Sequence, residues 1–229
     1  MEKIFWLHIK KSAGTATRKA LGSIYTEDNR RDCPQCFIMA DKKYYNDILN
    51  NFSTPLGIYQ FKRMLFAKKF LYSPYEFKSL YKFCFAREPI NRVKSMFFYL
   101  FADHIQNIHK ENLNSQLPNL FNVFLDCVHE TRLSESNTKP YGLHFQTHTA
   151  EMYSDIADEN GEILMDKIWK LDNLTDAFKE ISQITGITSL TGVETLNTSK
   201  RLELSLDDNH LEKIYKLYGR DFEIYNEAS

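Results

Sequence analysis

Two groups of residues have the types and spacing to do chemistry on an anion. The first is Lys10-Lys11-Ser12-Ala13-Gly14-Thr15-Ala16-Thr17, in which every side chain is a cation, a hydroxyl or very small. Such a run can surround a phosphate or a sulfate. Lys11 supplies a mobile positive charge, Ser12, Thr15 and Thr17 supply hydroxyl donors, and Gly14 lets the backbone approach the bound group closely. The second group is Arg87 with Ser95. A guanidinium and a hydroxyl converging on one point could hold a second phosphate in bidentate fashion.

Chemistry of this kind needs elements that aim it. Ile4, Phe5, Trp6, Leu7 and Ile9 have the composition of a buried strand, and helical character resumes at Thr15 and runs to Leu21. A strand feeding a tight turn into a helix points the first free N–H groups at one spot, where the helix dipole also favours an anion. The Walker wording is absent, because no glycine precedes Lys11-Ser12. An ordinary NTPase is therefore disfavoured. A solvated basic turn between strand and helix would carry the same residues.

Around the second group, Tyr81 to Phe85 reads as a central strand that Ala86-Arg87-Glu88-Pro89 ends. Pro89 suits the first turn of a helix, whose core face is Ile90, Val93, Met96, Phe97 and Leu100. Arg87 falls at the strand's carboxyl end, where open α/β sheets place their ligands. Ser95 lies about two turns into the helix, on a face that can look back to that end. The competing reading is a surface ion pair of Glu88 with Arg87 or Arg92.

The remaining elements are coarser. A loop is expected from Thr26 to Gln35, a short strand over Cys36–Ala40 and a helix from Lys42 to Phe52. A strand is expected near Phe70 to Tyr72, and another over Glu162 to Leu171. Further helices are expected from Asn119 to Glu130, from Thr175 to a stop at Gly186, and from Leu206 to a stop at Gly219. Leu133 to Pro140 reads as a polar loop suited to the rim of a site.

Composition sets bounds. The formal charge is -1, so no bulk polyanion footprint exists and nucleic acid is not an expected partner. The longest apolar run, Met96 to Ala102, is far short of the ~20 residues of a membrane span. The first residues do not read as a signal peptide, so the expectation is a cytoplasmic protein. Cys33-Pro34-Gln35-Cys36 is a lone CxxC without further ligands at metal spacing, and reads as a loop with two thiols.

Read together, the two groups resemble a known pair of motifs. His8-Ile9-Lys10-Lys11-Ser12-Ala13-Gly14-Thr15 is similar to the His-Ile-Pro-Lys-Thr-Ala-Gly-Thr loop of sulfotransferases that use 3′-phosphoadenosine 5′-phosphosulfate. Phe85 to Ser95 resembles their second motif, Val-Arg-Asp-Pro-x-x-Arg-Leu-x-Ser. The nearest likeness is to carbohydrate sulfotransferases of the Golgi type and their bacterial counterparts. Weaker echoes follow in order at His144-Phe145-Gln146, Asp166 to Leu174, Leu196-Asn197-Thr198-Ser199 and Tyr218-Gly219-Arg220-Asp221-Phe222.

The resemblance implies an α/β fold with a P-loop-like three-layer core, its central and mostly parallel sheet flanked by helices. No internal repeat, low-complexity tract or linker divides the sequence, so one domain is expected over residues 1–229. It implies a loop that holds the 5′-phosphosulfate, with Lys11 catalytic and Ser12, Ala13, Gly14, Thr15, Ala16 and Thr17 completing the cradle. Arg87 and Ser95 would hold the 3′-phosphate, with Lys200 or Arg201 nearby. The product would be adenosine 3′,5′-bisphosphate, the acceptor a hydroxyl of a carbohydrate or small metabolite, and no metal would be required. Lys10 departs from the usual proline and Glu88 from the usual aspartate. The stretch before the second motif, Phe70 to Glu76, lacks the histidine pair that some relatives carry there. The general base is therefore expected at Glu76 or His144, with His148, His104 and His109 behind them. The rival expectations are an ATP-dependent kinase and a nucleotide-binding regulatory protein without activity.

Overall fold

Side chains alternate along the strands, and that alternation sorts the core into two layers. The computed structural model describes residues 4–21, 42, 45–51, 54–133, 142–186 and 202–229. In β1 (Ile4–Leu7) and β2 (Tyr81–Ala86), Phe5, Leu7, Cys84 and Ala86 face one side, and Trp6, Phe83 and Phe85 face the other. With β3 (Lys167–Lys170) these strands form a wholly parallel sheet of order β1-β2-β3, with Leu7 opposite Cys84 and Phe85 opposite Trp169. Burial on both faces calls for apolar residues, which is why β1 and most of β2 read as apolar runs, with Lys82 the buried exception, while β3 carries Lys167 and Lys170 at its ends.

The first face is covered by α2 (Tyr45–Asn50), α3 (Arg63–Phe66), α4 (Pro74–Ser79) and further residues from later in the chain. The second is covered by α1 (Gly14–Leu21) and, later in the chain, the helix over Leu174–Thr185. The result is the expected three-layer α/β core. A third apolar cluster is mainly helical, joined by Leu204 from the extended segment before the last described helix. It is built from α5 (Pro89–Leu100), α6 (Ala102–Gln106) and α7 (Leu113–Leu133), with Phe145 of α8 (Leu143–Thr149) against it. α9 (Met152–Ile156) returns to the first face, α10 (Leu174–Thr185) follows β3, and α11 (Asp208–Glu227) joins the helical cluster to the first face through Ile214 and Ile224.

The sheet's edges are closed by side chains and backbone from elsewhere. Asn46 and Asn50 of α2 donate to the Trp6 carbonyl, and Asn50 accepts from the His8 N–H. Beyond β3, Ser229 exchanges hydrogen bonds with Ile168 and Lys170. Edge groups satisfied in this way cannot template pairing with another chain.

Three expectations are corrected. No strand forms at Phe70 to Tyr72. Residues Ala67–Leu71 continue α3 as a π-helical turn, because Met64, Ala67 and Leu71 are buried at helical spacing. Gly219 does not end α11, which kinks at Tyr218 and continues, since Asp221 and Ile224 beyond it are buried. β3 is shorter than expected, beginning only at Lys167. The stop at Gly186 is as expected, with that glycine in the left-handed region at φ 71. The loop 26–35, the Cys33/Cys36 pair, the strand over 36–40, the rim loop 134–140, Leu196 to Ser199, Lys200 and Arg201 lie outside the described residues. Among the described residues no helix is long and apolar enough to cross a membrane.

Candidate active site

β1 ends at Leu7, α1 begins at Gly14, and the six residues between them form the cradle loop. Lys11 and Ala13 hold positive φ of 65° and 55°. Neither is glycine, so each costs of order 1 kcal/mol or more and persists only where the surroundings over-determine it. Two buried arginines supply that constraint. Arg63 of α3 donates through Nη2 to the His8 carbonyl at 3.1 Å, and Arg92 of α5 donates through Nε to the Lys10 carbonyl at 3.1 Å.

Each guanidinium is fixed in turn by a buried aspartate. Arg63 pairs with Asp155 at 3.0 and 2.7 Å, and Arg92 with Asp221 at 2.8 Å. Asp221 also accepts the N–H groups of Met152 and Tyr153 at the start of α9. With carbonyls of the loop drawn into the protein, the first N–H groups of α1, which have no acceptor within the helix, sit at the mouth of the loop. The surface ion pair of Arg92 with Glu88 does not form. Glu88 instead caps α5, accepting from the N–H groups of Ile90 and Asn91.

Gly14 is required by a close approach. A Cβ built there would lie 1.9 Å from Nε2 of His8. The His8 ring stacks on Trp6, and Arg18 donates to its Nδ1 at 3.3 Å. Burial, then the charges of Lys10, Arg18 and Arg63, push the His8 imidazole well below its ordinary range, so it packs as a neutral ring. Thr17 is buried and its hydroxyl donates to the Ala13 carbonyl at 2.9 Å, so it ties loop to helix rather than pointing outward. Ala16 is core, packed against the second face of the sheet, while Thr15 is exposed at the helix start. Ser12 is only 1% exposed, and its hydroxyl has no hydrogen-bond partner among the described residues.

The ammonium of Lys11 sits 4.0 Å from the ring centroid of Tyr99, on α5. The same ring lies 4.8 Å from that of His148 and 5.7 Å from that of His144, both on α8, and the Tyr99 hydroxyl is 3.4 Å from His144 Nε2. His148 donates through Nδ1 to the His144 carbonyl at 2.8 Å, which leaves its Nε2 as the basic nitrogen. Burial lowers the His148 pKa to about 4, so this ring is neutral. The fold thus brings His144, and with it His148, to the side of Lys11.

Glu76 is not brought there. It sits in α4, at the opposite end of β2 from the cradle, where it closes a capping box with Ser73 and pairs with Lys42. The Lys42 contact and two hydrogen bonds from Ser73 lower its carboxyl to about 2, the state of a cap rather than of a base.

Arg87 follows the last residue of β2. Because β1 and β2 run parallel with Leu7 opposite Cys84, Arg87 and the cradle loop both follow the carboxyl end of the sheet. Arg92, Ser95 and Tyr99 lie at i, i+3 and i+7 of α5, one face of that helix. Arg92 reaches Lys10 and Tyr99 reaches Lys11, so Ser95, between them, shares the loop-facing stripe.

A family model described as the sulfotransferase family matches residues 1–226. The chain belongs to the sulfotransferase family. No curated protein sequence and no solved structure gives a significant match. Membership supports sulfuryl transfer in general. The loop of this sulfotransferase combines a buried Ser12 hydroxyl that lacks a partner among the described residues, two positive-φ residues and a helix N-terminus. Among the described residues no group of three or more His, Cys, Asp or Glu side chains is placed to hold a metal ion.

Sequence reasoning missed Arg63, Asp155, Asn46, Asn50 and Tyr99. None of them belongs to a local pattern, since each reaches β1, the loop or a residue that holds the loop only through the fold. Asp221 lay inside the echo at Tyr218 to Phe222 and Arg92 inside the second motif, but nothing local showed that the two pair.

Proposed function

We propose that this sulfotransferase moves a sulfuryl group from 3′-phosphoadenosine 5′-phosphosulfate to a hydroxyl of a carbohydrate or small metabolite, by in-line displacement. The observation that carries the reading is the convergence of Lys11 with Tyr99, His144 and His148 at the mouth of an anion cradle. The donor supplies an activated S–O bond whose cleavage leaves adenosine 3′,5′-bisphosphate.

Lys11 places positive charge where the bridging oxygen gains electrons, so it is worth more in the transition state than before it. The N–H groups of Ala13 to Thr15 and the Ser12 hydroxyl hold the 5′ end. Arg87 and Ser95 hold the 3′-phosphate. His144, exposed beside Lys11, takes the acceptor's proton as its oxygen attacks sulfur. The neutral His148 beside it adds no charge to oppose that transfer.

Calorimetric titration in the presence of a chelator tests the donor. Adenosine 3′,5′-bisphosphate binding much more tightly than ADP supports the reading, and equal affinity refutes it. A screen of hydroxyl acceptors with sulfur-labelled donor then identifies the second substrate.

A further inference from the structure

We infer that Tyr99 is a positioning residue, its ring fixing the ammonium of Lys11. The inference rests on the proposed transfer reaction for its consequence, but on geometry for its existence.

Lysine has a flexible four-carbon stem, and its charge alone does not determine where the ammonium rests. α5 settles that at two levels. Arg92 binds the carbonyl of Lys10 and thereby fixes the backbone from which Lys11 projects. Seven residues later on the same face, Tyr99 presents its ring to the Lys11 ammonium at 4.0 Å, a cation–π distance. Seven residues of helix span roughly 10 Å, so one rigid element holds both ends of the lysine.

Tyr99 is 48% exposed, so it does not serve as core. Its ring neighbours are Lys11, His144 and His148, and all three belong to the proposed reaction centre. The ring is therefore a gauge between cation and base. It keeps the ammonium on the side from which the leaving oxygen departs and separates that charge from the imidazole that receives the proton.

Two substitutions and two readouts test this. In wild-type protein with carbon-13-dimethylated lysines, the Lys11 resonance is expected to be shifted by the ring current of Tyr99. Tyr99→Phe should keep that shift and Tyr99→Leu should abolish it. In transfer assays Tyr99→Leu should lower kcat about tenfold. The affinity for adenosine 3′,5′-bisphosphate should stay unchanged, and Tyr99→Phe should retain most of kcat. An unshifted Lys11 resonance in wild type overturns the inference. So does a Tyr99→Leu enzyme of undiminished kcat, tighter donor binding in that variant, or a Phe variant as impaired as the Leu variant. If wild type transfers no sulfuryl group, the proposed function fails while the resonance still decides the contact.

Discussion

The backbone carbonyl of Lys10 lies 3.1 Å from Nε of Arg92, a guanidinium supplied from 82 residues further along the chain. Arg63 does the same for His8, from 55 residues away. The cradle is thus a loop held from behind. Its strained backbone is kept in place by two buried arginine–aspartate pairs that need never touch a ligand.

Removing one partner of such a pair strands a buried charge. Asp221→Ala should destabilise the protein by about 3–5 kcal/mol in denaturant titration. Asp221→Asn, which keeps the shape and some of the hydrogen bonds, should fold and bind adenosine 3′,5′-bisphosphate more weakly than wild type. Undiminished affinity in the Asn variant would show that the clamp does not shape the cradle.

Lys11→Ala leaves the fold intact, because Lys11 is not among the buried residues. Transfer of labelled sulfur should fall by about a hundred- to a thousandfold, the loss expected when a donor to developing charge is removed. Arg87→Ala should act differently, weakening donor binding more than it slows turnover at saturation.

The histidines make separate predictions. His144→Ala should lower kcat by about a hundredfold or more. His148 bears on stability with pH. Its folded pKa is lowered to about 4 from 6.5, so between those values the unfolded chain binds a proton that the folded chain does not. Stability from this group is fully present above pH 6.5 and is lost as pH falls towards 4. His8, also lowered, acts in the same direction. Tm should therefore fall on acidification through this window, and His148→Gln should flatten the slope by up to one proton.

Gly14→Ala puts a methyl group into the space of a fixed imidazole. Overpacking of this kind costs about 1–3 kcal/mol. Adding His8→Ala should recover part of that loss, a non-additivity measurable in a double-mutant cycle.

Glu76→Ala removes the N3 half of the capping box of α4, leaving Ser73 as its N-cap, and should cost about 1 kcal/mol in thermal or denaturant unfolding, with transfer rates unchanged. A large fall in kcat would return Glu76 to the reaction.

β1 and β2 were legible because burial on two faces leaves a nearly continuous apolar run, and helices that cover them carry apolar residues at helical spacing; β3, with a lysine at each end, was placed only loosely. Lys11, Ser12 and Gly14 were legible because a loop between strand and helix is a local pattern. Arg92 was visible as a residue, and the only ion pair weighed for it was the competing one with Glu88, since sequence proximity favours neighbours over Asp221, 129 residues away. Phe70 to Tyr72 misled in the other direction. Aromatic composition suggested a strand, whereas the spacing of Met64, Ala67 and Leu71 carried the helical answer. Glu76 was chosen by proximity in sequence, and a helix turn sent it to the far end of its strand.

The clamp on Lys10 also has a temporal consequence. Domains form from their N-terminal side while the chain is being made. Strand β1 and the loop after it emerge long before α11, which carries the aspartate that steadies Arg92. A ribosome-bound chain halted before α11 would present the right residues in a slack loop. Nucleotide capture by nascent chains of graded length would then mark the moment at which the C-terminal helix docks.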